Sequence, residues 1–123
     1  MADVVVVGRG PAGCIASMLL ADFGFQVTLY EKERLPRHKH CAGYVSPKSL
    51  RILDSLGIDC RGSFDQTIRG MRIRCGKEDI EFDYTWPEDE LPGNVYREHF
   101  DHLLVESASA SGAERASSTR GWW

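Results

Sequence analysis

Positive charge is not in excess in this chain. Its 15 Lys and Arg stand against 18 Asp and Glu, giving a net charge of −3, and no basic patch points to nucleic acid. Long apolar runs are missing. None is long enough to span a bilayer, and the N-terminus reads as a strand rather than a signal peptide, so a cytoplasmic protein is expected. Paired cysteines are missing too. Cys14, Cys41, Cys60 and Cys75 form no C-x-x-C pair and read as free thiols in a cytosolic chain. His38, His40 and Cys41 lie close in sequence, but their spacing matches no common zinc pattern, and no metal is expected. What remains is a chain of 123 residues, 42% hydrophobic, with room for one small domain and enough apolar content for a core.

The first thirty-one residues organise the rest. Asp3-Val4-Val5-Val6-Val7 is a β-branched run of the kind found in strands buried on both faces. Gly8-Arg9-Gly10-Pro11-Ala12-Gly13 follows, and then a stretch from Cys14 to Phe23 with good helix formers and no Gly or Pro. Strand, glycine turn and helix are the context in which G-x-G-x-x-G signifies a dinucleotide site. Gly8 lets the chain leave the strand, Gly10 lets a pyrophosphate approach the backbone, and Gly13 lets helix and strand pack closely. Pro11 suits the first helical turn, and the amides of that turn face the phosphates. Gly24 closes the helix, Phe25–Tyr30 reads as a second strand, and Glu31 stands at its end. An acid ~20 residues past the glycines at a strand terminus can accept both ribose hydroxyls.

From Lys32 to Tyr44 the chain is polar and irregular. Its cations Lys32, Arg34, Arg37 and Lys39 lie where a pyrophosphate would need them, although a solvated loop accounts for most of them. Ser46 and Pro47 open a helix with Leu50, Leu53 and Leu56 on one face, supported by Ile52, and Gly57 ends it. Thr67 to Tyr84 reads as a β-hairpin turning at Gly76-Lys77-Glu78, with Met71, Ile73 and Cys75 on one face. A helix begins near Val95 and runs to about Ser111, with Gly112 after it. Residues 115–123, rich in serine and ending in Trp122-Trp123, show no strand pattern and read as an irregular tail. The fold class is therefore α/β. A Rossmann-like βαβ unit occupies the first part of residues 1–114, the hairpin at 67–84 begins a second antiparallel layer, and the domain reads as incomplete for want of a third parallel strand.

These stretches together resemble the geranylgeranyl reductase family, within the flavoproteins that include the aromatic hydroxylases. The likeness rests on Asp3–Gly13 with Glu31-Lys32, on Pro36–Pro47, which is similar to the family's Cys-Gly-Gly loop followed by Ser-Pro, and on Tyr96–Asp101, which is similar to its Arg-x-x-Phe-Asp helix start. Ala42 and Tyr44 depart from the family by standing where glycine or a small residue is usual. The resemblance implies FAD as cofactor, held by Gly8, Gly10, Pro11, Ala12, Gly13, Glu31, Lys32, Arg37 and Arg97. It places Cys41, Ala42 and Gly43 beside the flavin, with Cys41 as the candidate catalytic residue.

The resemblance also implies reduction of C=C bonds in isoprenoid or other hydrophobic substrates, with NAD(P)H or a ferredoxin-type protein as electron donor. Peripheral membrane contact of the full-length enzyme is compatible with such substrates. A monooxygenase or halogenase of the same fold is the alternative within enzymes. The family's Gly-Asp second FAD motif has no counterpart here, so the chain reads as the N-terminal part of a truncated or frame-shifted frame, inactive alone. An inert fragment, or a nucleotide-binding module needing a partner chain, is the alternative outside enzymes.

Overall fold

The computed structural model describes residues 2–76 and 80–117. The chain divides into two compact units, one made of Met1–His40 and Arg97–Trp123, the other of Cys41–Tyr96.

The first unit carries the parallel sheet. Strand β1 (Val4–Val7) leads through helix α1 (Pro11–Asp22) to β2 (Val27–Glu31). Val4 to Val7 pair in parallel with Val27 to Tyr30, and the Asp3 carboxylate accepts the Gln26 N–H at 2.9 Å where the strands begin. After α3 (Arg97–Ala110) comes β8 (Glu114–Ser117). Cys14 and Met18 of α1, Leu29 of β2, and Phe100, Leu104, Val105 and Ala108 of α3 are buried together with Ala113.

Strand β8 corrects the expectation of an irregular tail and a missing third strand. Thr28 to Glu31 pair in parallel with Glu114 to Ser117, so the sheet order is β1-β2-β8 and the new strand flanks the second strand rather than the first. The sequence Glu-Arg-Ala-Ser carries no strand propensity of its own. The open edge of β2 imposes the extended form, and the Arg9 guanidinium bonds the Ala116 carbonyl at 2.5 Å to hold it. The opposite face of the sheet is uncovered among the described residues. Val5 is 55% exposed and Val7 80%, in a run whose composition suits burial on both faces.

In the second unit, β3 (Tyr44–Val45), β4 (Phe64–Thr67) and β7 (Gly93–Val95) form an antiparallel sheet in the order β3-β7-β4. Helix α2 (Pro47–Ser55) starts as expected, with the Ser46 hydroxyl accepting the Ser49 N–H at 3.2 Å. Leu50 and Leu53 are buried, but Ile52 is exposed and gives no support to their face. Ile58 and Cys60, just past the helix, are buried.

The hairpin is β5 (Gly70–Cys75) with β6 (Ile80–Thr85), in register from Gly70↔Thr85 to Cys75↔Ile80. It starts at Gly70 rather than Thr67, because Thr67 pairs with Gly93 in the other sheet. Lys77 and Glu78 of the expected turn lie outside the described residues. Met71, Ile73 and Cys75 share a strand face as read, yet all are exposed. No described helix is long and apolar enough to cross a membrane.

Candidate functional site: a dinucleotide cradle in the first unit

The glycine turn is built from three different constraints. Gly8 sits at φ +106°, a conformation L side chains rarely adopt, and its N–H donates to the Tyr30 carbonyl at 2.8 Å. Gly13 lies so close to the turn that a Cβ would stand 1.9 Å from the Gly8 carbonyl oxygen. Gly10 is the reverse case. Among the described residues, a Cβ there would meet only Nη2 of Arg97, at 3.8 Å, so the space above the turn is open and a guanidinium borders it.

Gly10 is also the N-cap of α1 and has no side chain to satisfy the first-turn amides. Pro11 occupies the first helical position, and no acid lies in the first turn. Helix α2 shows the contrast, since Ser46 caps it. An uncapped helix start opening onto a space bordered by Arg97 presents donors and positive potential to an anion.

The acid of the motif lies beside this turn. Glu31 is 6% exposed and its carboxylate receives four donors. Oε2 takes the Arg9 N–H at 3.0 Å and Arg37 Nη2 at 3.4 Å, while Oε1 takes the amides of Lys32 at 2.9 Å and Glu33 at 3.3 Å. Burial pushes this carboxyl up, but the Arg9 and Glu33 amides and the Arg37 guanidinium together outweigh it and hold the group below the usual carboxylate range. Lys32 thus takes part through its backbone, its side chain being exposed.

Two residues that sequence reasoning left without a role complete the arrangement. Asp101 of α3 is fully buried and accepts Nε and Nη2 of Arg97 at 2.7 and 3.0 Å, and Nη1 of Arg37 at 3.1 Å. Its spacing of four from Arg97 on one helix face was the available signal. Arg9, 8% exposed, runs along the sheet ends, where its Nη2 reaches the carbonyls of Leu29 at 3.4 Å and Ala116. Burial lowers its pKa. Nothing in the motif distinguishes that x position, so only the fold reveals it. Cys14, buried behind the turn, has its thiol pushed up to about 11 chiefly by burial and then by Asp101, which makes it an inert packing residue.

The structure therefore brings Gly8, Gly10, Pro11, Ala12, Gly13, Glu31, Lys32, Arg37 and Arg97 into one unit. Cys41, Ala42 and Gly43 belong to the other unit. There Gly43, at φ +73°, donates its N–H to Cys41 Sγ at 3.3 Å, and a Cβ on it would lie 2.1 Å from the Val95 carbonyl oxygen. Only glycine fits that place. Cys41 itself is exposed. His38 and His40 stack edge to face, and no group of potential metal ligands occurs among the described residues.

Comparison with known proteins agrees with this geometry. Residues 1–121 match the family described as FAD binding domain. A tryptophan 2-halogenase of Chondromyces crocatus is 35% identical over 115 residues, covering 90% of this chain and 22% of that protein. A menaquinone reductase of Mycolicibacterium smegmatis is 30% identical, covering 97% and 29%. The solved structure of a geranylgeranyl bacteriochlorophyll reductase-like protein from Thermoplasma acidophilum superposes with a TM-score of 0.81 at 25% identity, covering 94% and 30%. The chain spans less than a third of the length of each of these proteins. The open turn at Gly10, the close packing at Gly13 and the buried acid at Glu31 fit the adenosine diphosphate half of FAD, and the chain belongs to the FAD binding domain family.

Proposed function

We propose that this chain supplies the ADP-binding part of an FAD-dependent oxidoreductase that reduces isoprenoid C=C bonds. The observation that carries the ADP-binding part is the open, uncapped turn at Gly10 with the Arg97 guanidinium at its border, and the substrate class rests on the resemblance of the Cys41 loop. In this reading the α1 amides and Arg97 bind the pyrophosphate, and Glu31 accepts the ribose hydroxyls. A carboxylate offers about four lone-pair positions. The two longer contacts to Glu31, from Arg37 and Glu33, are the ones a ribose diol shares most easily.

Bound FAD supplies hydride-transfer chemistry. The chain's own contribution is to hold the cofactor and keep its charge compensated. Reduction rather than halogenation is favoured by the Cys41 turn, whose Gly43 admits no side chain and whose sequence is similar to the Cys-Gly-Gly loop of geranylgeranyl reductases. The likenesses to a menaquinone reductase and to a geranylgeranyl bacteriochlorophyll reductase-like protein point the same way. The second reading, a flavin-dependent halogenase, is favoured by the higher identity to tryptophan 2-halogenase. Electrons would come from NAD(P)H or a ferredoxin-type donor.

The two readings separate on the flavoprotein that carries this chain. One arm offers a geranylgeranyl lipid under anaerobic dithionite. The other offers tryptophan, chloride, oxygen, NADH and a flavin reductase. Mass spectrometry then shows either added hydrogen or added chlorine. Cys41→Ser is expected to lower alkene reduction while leaving FAD content unchanged. Unimpaired turnover would remove Cys41 from the chemistry, and chlorinated product would replace the reductase reading by the halogenase one.

A further inference from the structure

We propose that Asp101 is the positioning residue of the cradle, aiming the Arg97 guanidinium at the pyrophosphate and locking Arg37 onto Glu31. The inference rests on the dinucleotide reading above. Arg97 is the first residue of α3, and an arginine there would ordinarily extend into solvent. Asp101 takes one edge of its fork at both donors, Nε on Oδ1 and Nη2 on Oδ2, which fixes the guanidinium plane as well as its place. Nη2, the atom held by Oδ2, is also the atom 3.8 Å from the Cβ position of Gly10.

The same Oδ2 receives Arg37 Nη1 at 3.1 Å, while Arg37 Nη2 reaches Glu31. One carboxylate thus ties the residue at the pyrophosphate to the residue beside the ribose acid. Asp101 is fully buried, and a buried ion pair is a poor device for stability alone, since well-packed apolar residues do as well. Holding two arginines in a fixed relation to a ligand is what the charge accomplishes here.

The test is a double-mutant cycle on FAD affinity, read by flavin fluorescence with free adenosine as a control ligand. Arg97→Met and Asp101→Asn are each expected to weaken FAD binding about tenfold or more, the scale of a lost charge-assisted pair. The double variant is expected to lose less than the product of the two single losses, and adenosine binding to weaken in Asp101→Asn and the double variant, through Arg37 and Glu31, but not in Arg97→Met. Losses that multiply in the double variant would overturn the proposal. Should Asp101→Asn fail to fold, Arg97→Lys decides. It keeps the charge and loses the fork, so it should bind FAD like Arg97→Met, and wild-type affinity would refute the role. Gly10→Val guards the underlying reading, because unchanged FAD affinity in that variant removes the dinucleotide site itself. The Arg97 Nε–H resonance provides a readout without cofactor. It should exchange slowly and stand apart from the solvent-exposed arginines, and fast exchange in the wild-type chain would contradict the proposal.

Discussion

Two glycines of one motif meet opposite demands. Gly13 is required by packing, because its Cβ position collides with backbone, whereas the space over Gly10 holds nothing nearer than a side-chain nitrogen. Gly13→Ala should therefore destabilise the fold by about 3 kcal/mol, the upper range of overpacking, because a carbonyl cannot yield as a side chain can. Gly10→Ala should leave stability nearly unchanged. Urea denaturation of both variants checks the pair, and equal losses would contradict the assignment.

Glu31 gives a pH prediction. Its folded-state pKa is depressed, so its contribution to stability is present above the ordinary glutamate pKa of ~4.3 and is lost as pH falls through the lower folded value. Glu31→Gln should flatten the acid limb of stability below about pH 4.5, and an unchanged limb would show that the carboxylate is not held by its four donors. The glycines and Glu31 were legible because their spacing matches the dinucleotide-binding fingerprint. Asp101 was legible only as the residue four after Arg97, and its tie to Arg37, 64 residues away in sequence, was not.

Among the elements, those with their own signals formed where expected. Helix α2 is framed by Ser46, Pro47 and Gly57, and α1 by the glycine turn and Gly24. Ser46→Ala should cost about 1 kcal/mol, measurable by thermal or urea unfolding, because it orphans the Ser49 amide. A loss near zero would mean that water replaces the cap. Strand β8 was illegible because four unremarkable residues become a strand only against the edge of β2. The start of the hairpin was misplaced for a related reason. Thr67 is a β-forming residue in sequence, but its partner Gly93 belongs to a different sheet.

On the scale of the molecule, the chain is an FAD binding domain whose described residues leave apolar side chains exposed at Val5, Val7, Met71 and Ile73. The chain covers less than a third of the length of each of these relatives. The central claim, that the Gly8–Gly13 turn and Glu31 form the ADP site, is tested most directly by titrating FAD into the wild-type chain, Gly10→Val and Glu31→Ala, following quenching of flavin fluorescence. The account predicts saturable quenching by the wild-type chain that is lost in Gly10→Val and weakened about tenfold or more in Glu31→Ala, where the ribose loses a charged acceptor. Equal FAD affinity in all three proteins would contradict it.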